Sequence, residues 1–303
     1  FQQIKAFFPQ IIAQQMATPG GAFGLGAAGL LASGDKRQSL PSAEEVAAFS
    51  NDTLKSEIIS GLSQGPIDVV IVGDVTVEDA IAQVAATLGA LPARGPAPAG
   101  LPGSDQLRFP AGTAEPVQLQ HTGPAEQALG YIAWPTTDQI GDRTEARVVG
   151  ILGDVLRLRV LDEIREKQAL AYAPTAGTSS SDIYEGYGSI FITAQTAYES
   201  LPAYYAAIDA IVASLRDTPI TEDELNRARL PTIESIRRSQ ASNEYWLTQL
   251  EDVARDPSQV QETLSHITDI EAITPADIQR AARQYLRPDT AWRATVTSTQ
   301  VGQ

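Results

Sequence analysis

An α+β chain in two units is what this sequence predicts, and three observations carry that prediction. Stretches of helical periodicity alternate with short apolar or β-branched runs. Residues 92–116, PARGPAPAGLPGSDQLRFPAGTAEP, hold proline and glycine at a density that breaks regular structure and read as a linker. The order capped helix, Gly or Pro break, strand occurs twice, in NDTLKSEIISGLSQGPIDVVIVGD and in TPADIQRAARQYLRPDTAWRATVTS. That echo implies two copies of one α+β unit, the first entering the chain part-way through. The expected division is a partial first repeat over 1–91, the linker over 92–116 and a complete second repeat over 117–303.

A chain of 303 residues is long enough for two domains with separate cores. The formal net charge of −15, with no basic block, argues against nucleic acid, because phosphate binding needs clustered Lys and Arg. No cysteine is present, which removes disulfides, thiolate metal sites and cysteine nucleophiles. No apolar run approaches the roughly 20 residues of a membrane span. The chain opens on Phe1, its only methionine is Met16, and no secretory signal is visible, so a processed chain or a fragment of a longer one is expected.

Taken in order, Ile4, Phe7, Phe8, Ile11 and Ile12 predict a short amphipathic helix interrupted at Pro9. The following Gly/Ala-rich stretch reads as a flexible or tightly packed loop. It contains Gly24, Gly26 and Gly29 in a G-x-G-x-x-G arrangement, but no strand precedes it, and a pyrophosphate site needs a strand before and a helix after. Ser42–Ser60 predicts two helical pieces broken near Ser50 and Asn51, with Ser42 and Glu45 as a capping box. Ile67–Asp74, IDVVIVGD, predicts a strand buried on both faces, followed by a helix capped by Thr76 and ended at Gly89.

Beyond the linker, strands are expected around Val117–His121, Ala128–Trp134, Tyr187–Thr196 and Ala291–Ser298. Helices are expected from about Arg143 to Lys167, over Leu201–Leu215, from a Thr221/Glu224 cap with a kink or break at Pro231, and from Thr274 with Pro275 in its first turn. Between the first of these helices and the next strand lies Leu161–Gly177, a charged corner in which Arg165 and Tyr172 stand seven residues apart.

Little conventional catalytic chemistry is present. His121 and His266 fall in neither H-x-x-E-H nor H-E-x-x-H, no G-x-S-x-G elbow occurs, and the pairs Glu44/Glu45 and Glu222/Asp223 serve helix starts. Arg165 and Tyr172 remain. A guanidinium donates in a fixed fork and a phenol is a neutral donor at pH 7, so both suit a peptide carbonyl or a developing oxyanion. On spacing alone the alternatives stand beside that reading: Arg165 pairs with Asp162 or Glu166, and Tyr172 packs.

The residues IREKQALAY, followed by a strand with glycines and a later apolar strand, resemble the Arg-and-Tyr segment in the C-terminal half of the pitrilysin/insulinase-type zinc metallopeptidases, a family that includes mitochondrial processing peptidase. The segment IDVVIVGDVTVEDAIAQVAATLGALPAR is similar to that family's strand–GD–helix–LP-R segment, and the resemblance extends over residues 40–300. It implies a LuxS/mitochondrial-processing-peptidase-like α+β repeat, with a mixed or antiparallel sheet and helices packed on one face. It implies further a clam of two halves, one carrying H-x-x-E-H and zinc, the other supplying Arg165 and Tyr172 as the catalytic pair. No cofactor is then expected in this chain, zinc belongs to the partner half, and this chain alone is inactive. The implied partners are the zinc-bearing half, in the same polypeptide or a separate subunit, and an unfolded peptide substrate. The bacterial periplasm is the compartment that long family members favour, although no residue here shows it. The competing expectations are a structural or assembly subunit of the same fold without catalysis and, more remotely, a nucleotide-binding protein built on Gly24–Gly29.

Overall fold

A five-stranded mixed sheet in the order β1-β5-β2-β4-β3 organises the larger part of the chain. The computed structural model describes residues 1–96, 99–100 and 102–301; Ala97, Pro98 and Leu101 of the expected linker lie outside the described residues. The strands are β1 Val117–His121, β2 Gln127–Thr136, β3 Thr175–Ser180, β4 Gly188–Ala197 and β5 Trp292–Ser298. The helices, in chain order, are α1 Gln2–Met16, α2 Pro19–Leu31, α3 Ala43–Ala48, α4 Asn51–Leu62, α5 Val77–Ala86, α6 Arg143–Val160, α7 Leu201–Asp217, α8 Glu222–Ser239, α9 Asn243–Leu250, α10 Ser258–Ala272 and α11 Pro275–Tyr285. The fold is α+β. The chain separates into two compact units, one of residues 1–48, 103–229 and 270–303, the other of 49–102 and 230–269.

In the first unit β5 is the central organiser. It runs parallel to β1 and antiparallel to β2, and β2, β4 and β3 continue the sheet antiparallel. Because side chains alternate across a strand, Leu129, Tyr131 and Ala133 of β2 share one face with Trp292, Ala294 and Val296 of β5. Ala22 of α2 is buried in the same cluster, with Phe23, Leu30, Leu31, Met16 and Phe191 packed against it. The other face is covered by α6, α7 and α11, whose Leu152, Ile208 and Ile278 are fully buried.

Several helices begin where the sequence places their caps. Ser42 and Glu45 exchange backbone and side-chain hydrogen bonds at the start of α3, Thr76 and Thr221 accept from the N–H groups of Asp79 and Glu224, and Thr274 with Asp277 closes a complete capping box on α11.

Four expectations are corrected. The helix expected to break at Pro9 is continuous, with Pro9 inside α1. The helix carrying Pro231 is undivided over Glu222–Ser239, so of the kink or break expected there the break is absent. The Gly/Ala-rich stretch is the helix α2, not a loop: Thr18 caps it, Pro19 starts it, and Gly29 is closely packed, a Cβ there meeting Ser39 Oγ at 2.3 Å. Gly24, Gly26 and Gly29 therefore stand in a helix interior, and the strand–turn–helix cradle of a dinucleotide site is absent there. Finally, Ile67–Asp74 is neither a paired strand nor buried; Ile67, Val69 and Ile71 are 40–48 % exposed. β-branched composition favours an extended backbone, but a strand exists only where another strand completes its hydrogen bonds.

Two close fits in the first unit yield measurable consequences. A Cβ on Gly130 would meet the ring of Tyr204 at 2.4 Å, whereas Gly150 in α6 has nothing within 4 Å. Gly130→Ala is expected to destabilise by about 1–3 kcal/mol through overpacking, while Gly150→Ala leaves thermal unfolding unchanged or raises its midpoint. Asp138 is buried and accepts from the N–H groups of Ile140, Gly141 and Gly186. Burial opposes its ionisation, but these donors outweigh burial and hold its carboxyl below the ordinary aspartate range. A depressed native pKa contributes stability above the unfolded value of about 3.9, lost as pH falls through the native value. Denaturant titrations below pH 4 are expected to show this loss in the wild type and a smaller one in Asp138→Asn.

Candidate functional site

The end of α6 decides where Arg165 stands. Its last apolar residues, Val155, Leu156 and Val160, are fully buried, and the backbone then widens into a seven-residue π-helical segment, Leu161–Lys167. Such segments are rare and cluster at functional sites. Ile164, completely buried, anchors the segment to the core. The turn closes through Gln168 N–H to Glu163 O at 3.1 Å and Leu170 N–H to Ile164 O at 2.8 Å. Ala169 between them takes φ 50°, a left-handed conformation uncommon outside glycine.

Tyr172 is placed from the other side, by the sheet. Ala171 forms an isolated antiparallel bridge with Thr196 of β4, and the regular register resumes at Thr175 and Thr193. The chain thus advances four residues from Ala171 to Thr175 while β4 advances three, from Thr196 to Thr193. An extra residue of this kind bends a strand and re-aims a side chain. Ala171 and Pro174 are buried, and Tyr172 between them is 83 % exposed. Thr196, itself buried, donates its hydroxyl to the carbonyl of Leu170 and so fixes the segment from below.

The structure brings the two predicted residues together. Arg165 Cζ lies 5.2 Å from the centroid of the Tyr172 ring, within cation–π range. Arg165 Nε is also 3.3 Å from Glu166 Oε1, one of the two acidic partners its spacing allowed. Beside the pair, Lys167 Nζ stands 2.8 Å from Asp162 and 3.1 Å from Glu163, and Gln168 donates to Glu163 at 2.7 Å. Hydrogen bonds from Gln168 and Lys167 hold the Glu163 carboxyl below its ordinary range, and those to Asp162 and Glu163 raise Lys167. Chemically, the corner presents two hydrogen-bond donors, a fork and a phenol, on an exposed ridge.

Neither histidine joins it. His121 is fully buried, its Nδ1 accepts from Gly123 N–H at 3.0 Å, and its Nε2 stands 2.9 Å from Gln127 O. With Nδ1 accepting, Nε2 carries the proton, and the ring closes the β1–β2 turn. His266 is half-buried on α10. Among the described residues no group of three or more His, Asp or Glu side chains is placed to hold a metal ion, and no helix is long and apolar enough to cross a membrane. The described residues of this chain do not fit a zinc site.

With this geometry in hand, relatives become informative. The profile of the peptidase M16 inactive domain matches residues 49–230, more than half of the chain, and that span contains both Arg165 and Tyr172. This chain belongs to the peptidase M16 inactive-domain family. No curated protein matches it in sequence. Solved structures do: the peptidase M16 inactive domain from Pseudomonas fluorescens has a TM-score of 0.76 at 21 % identity, over 100 % of this chain and 71 % of that one. A conserved protein from Enterococcus faecalis V583 has a TM-score of 0.77 at 15 % identity, over 100 % and 68 %. The periplasmic protease PqqL from Escherichia coli has a TM-score of 0.70 at 19 % identity, over 98 % of this chain and 31 % of its own length. At these identities the likeness establishes the shared fold. M16 proteins are metallopeptidases, and this chain is of the kind that forms their inactive half.

Thr196 is the residue that sequence reasoning missed. A threonine inside a β-branched strand carries no signal that its hydroxyl serves a loop far upstream. Thr196→Val is expected to cost about 1–2 kcal/mol through the lost hydrogen bond to the part-buried carbonyl of Leu170. It should also speed amide exchange across Leu170–Ala173, with Thr196→Ser restoring both readouts.

Proposed function

We propose that this chain is the non-zinc half of a zinc metalloendopeptidase, that it binds unfolded peptide, and that it presents Arg165 and Tyr172 to the active site of the zinc-bearing half. The observation that carries the proposal is the pairing of these side chains on one ridge. A π-helical turn sets Arg165, an extra residue beside β4 sets Tyr172, and the phenol is 83 % exposed where packing alone would bury it. Membership of the inactive-domain family supports it.

In this reading the chain supplies hydrogen bonds and no acid–base chemistry. Tyr172 Oη donates to the carbonyl of the bound peptide as negative charge grows on its oxygen. Arg165, stacked on the ring and steadied by Glu166, orients the phenol and donates to a neighbouring carbonyl. Donors held in place before the reaction act without reorganisation, which is why a rigid π-turn and a buried Thr196 anchor suit the task. Any metal belongs to the other half, where the peptide bond is cut. The domain assignment that accompanies this proposal is a partial repeat over 1–91, a linker and a complete repeat over 117–303.

The second reading, a structural or assembly subunit without catalysis, has its own observation: Arg165 is already engaged by Glu166 and Tyr172. Cleavage of an unstructured peptide by the zinc-bearing half in the presence of this chain separates the two. Tyr172→Phe and Arg165→Ala are each expected to lower kcat/KM by about 10²-fold, mostly in kcat, because each removes a transition-state donor. Rates within about twofold of wild type for both would favour the structural subunit.

A further inference from the structure

The Arg165–Tyr172 corner depends on a turn wider than an α-helix, and one side chain reaches across that turn. Glu163 takes hold of Gln168 twice. Its main-chain carbonyl accepts from the Gln168 N–H at 3.1 Å, and its carboxylate Oε1 accepts from Gln168 Nε2 at 2.7 Å. The second carboxylate oxygen, Oε2, accepts from Lys167 Nζ at 3.1 Å, and Lys167 in turn stands 2.8 Å from Asp162.

The spacing of that grip is what distinguishes it. Residues five apart in an α-helix are turned about 140° from one another, so a short carboxylate cannot meet the side chain five positions on. Side-chain neighbours on an α-helix are three and four apart. In the π-helical segment Leu161–Lys167 the main-chain bond from Gln168 to Glu163 spans five residues and carries both side chains to one face. The Glu163–Gln168 side-chain bond therefore forms in the wide turn and is lost in an α-helical one. Lys167, four residues on, meets Glu163 in either form and does not select between them. The turn also carries a cost, since Ala169 at φ 50° lies in the left-handed region. A hydrogen bond to an ionised carboxylate is of the stronger kind and offsets it.

We propose that Glu163 is a positioning residue of this site: by gripping Gln168 its carboxylate selects the wide turn, and that turn sets Arg165 against the ring of Tyr172. Ile164, between Glu163 and Arg165, is completely buried and holds the front of the turn in the core. Glu163 closes the back of it through Gln168. The bond from Leu170 N–H to Ile164 O at 2.8 Å then leads the chain to Ala171 and its bridge with Thr196. Arg165 precedes that closure and Tyr172 follows it, so the 5.2 Å between guanidinium and ring is fixed by the residues that close the turn. Without the closure the chain past Ile164 takes another direction, and the stack opens. The proposal rests on the reading of Arg165 and Tyr172 as the donors, and in it Glu163 acts through Arg165 without meeting the substrate.

Amide exchange on the 303-residue chain reads the turn, and cleavage of an unstructured peptide by its assembly with the zinc-bearing half reads the site. Glu163→Ala is expected to speed exchange at Gln168 and Leu170 about tenfold. It should lower kcat about tenfold with KM within about twofold, since the donors remain but are aligned for less of the time. Glu163→Gln keeps the acceptor that Gln168 needs and is expected to stay within about twofold of wild type in both readouts. Asp223→Asn, which removes an exposed ion pair on α8, is the control and moves neither. Unchanged exchange in Glu163→Ala overturns the proposal, as does a Glu163→Gln variant as defective as Glu163→Ala. So does an opened turn with undiminished kcat where Arg165→Ala lowers kcat. Where Arg165→Ala and Tyr172→Phe also leave kcat undiminished, the reading of the pair as donors fails, and exchange at Gln168 and Leu170 still decides whether Glu163 sets the turn.

Discussion

The first unit depends on one constraint, the entry of β5 between β1 and β2. That strand comes from the end of the chain, yet it provides the middle of the sheet: Ala294 pairs with Val117 on one side and with Tyr131 on the other. Trp292, Ala294 and Val296 bury one face of it against α2, and Tyr205 of α7 donates to the carbonyl of Ala294 at 2.6 Å. Contacts this distant in sequence are slow to form and highly cooperative.

The Arg165–Tyr172 corner inherits its precision from that core. Ile164, buried beneath the π-turn, fixes where the guanidinium emerges, and Thr196 of β4 fixes where the phenol emerges. Neither side chain of the proposed pair is itself anchored in the interior; each sits one residue beyond a residue that is. This arrangement couples an exposed, adjustable pair of donors to a rigid support, as a site that meets its target from outside requires.

Much of this was legible along the chain. Ser42, Thr76, Thr221 and Thr274 each announced a helix start, because a cap is a contact among residues three apart. β1, β2, β4 and β5 stood out by alternating or apolar runs, whereas β3, TAGTSS, carries none; β2 extends one residue before and two past the expected limits, and β4 is shifted by one. Arg165 and Tyr172 were identifiable as residues, since the IREKQALAY segment resembled the family to which the chain proved to belong. The illegible parts were those set by distant partners: α2 passed for a loop because its glycines are costly in a helix unless packing against the sheet compensates.

By itself the sequence determined local periodicity and helix caps, which rest on residues within about a turn or two of one another. Tertiary structure alone decided two things. It set the π-turn and the extra residue that bring Arg165 to 5.2 Å from the Tyr172 ring. It gave β5 and Ile67–Val72 opposite fates, although both follow a capped helix and a Gly or Pro break. The physical reason is the same in each case: a strand, a bulge or a stacked pair is completed by groups far away in the chain, and no local pattern records whether they are there.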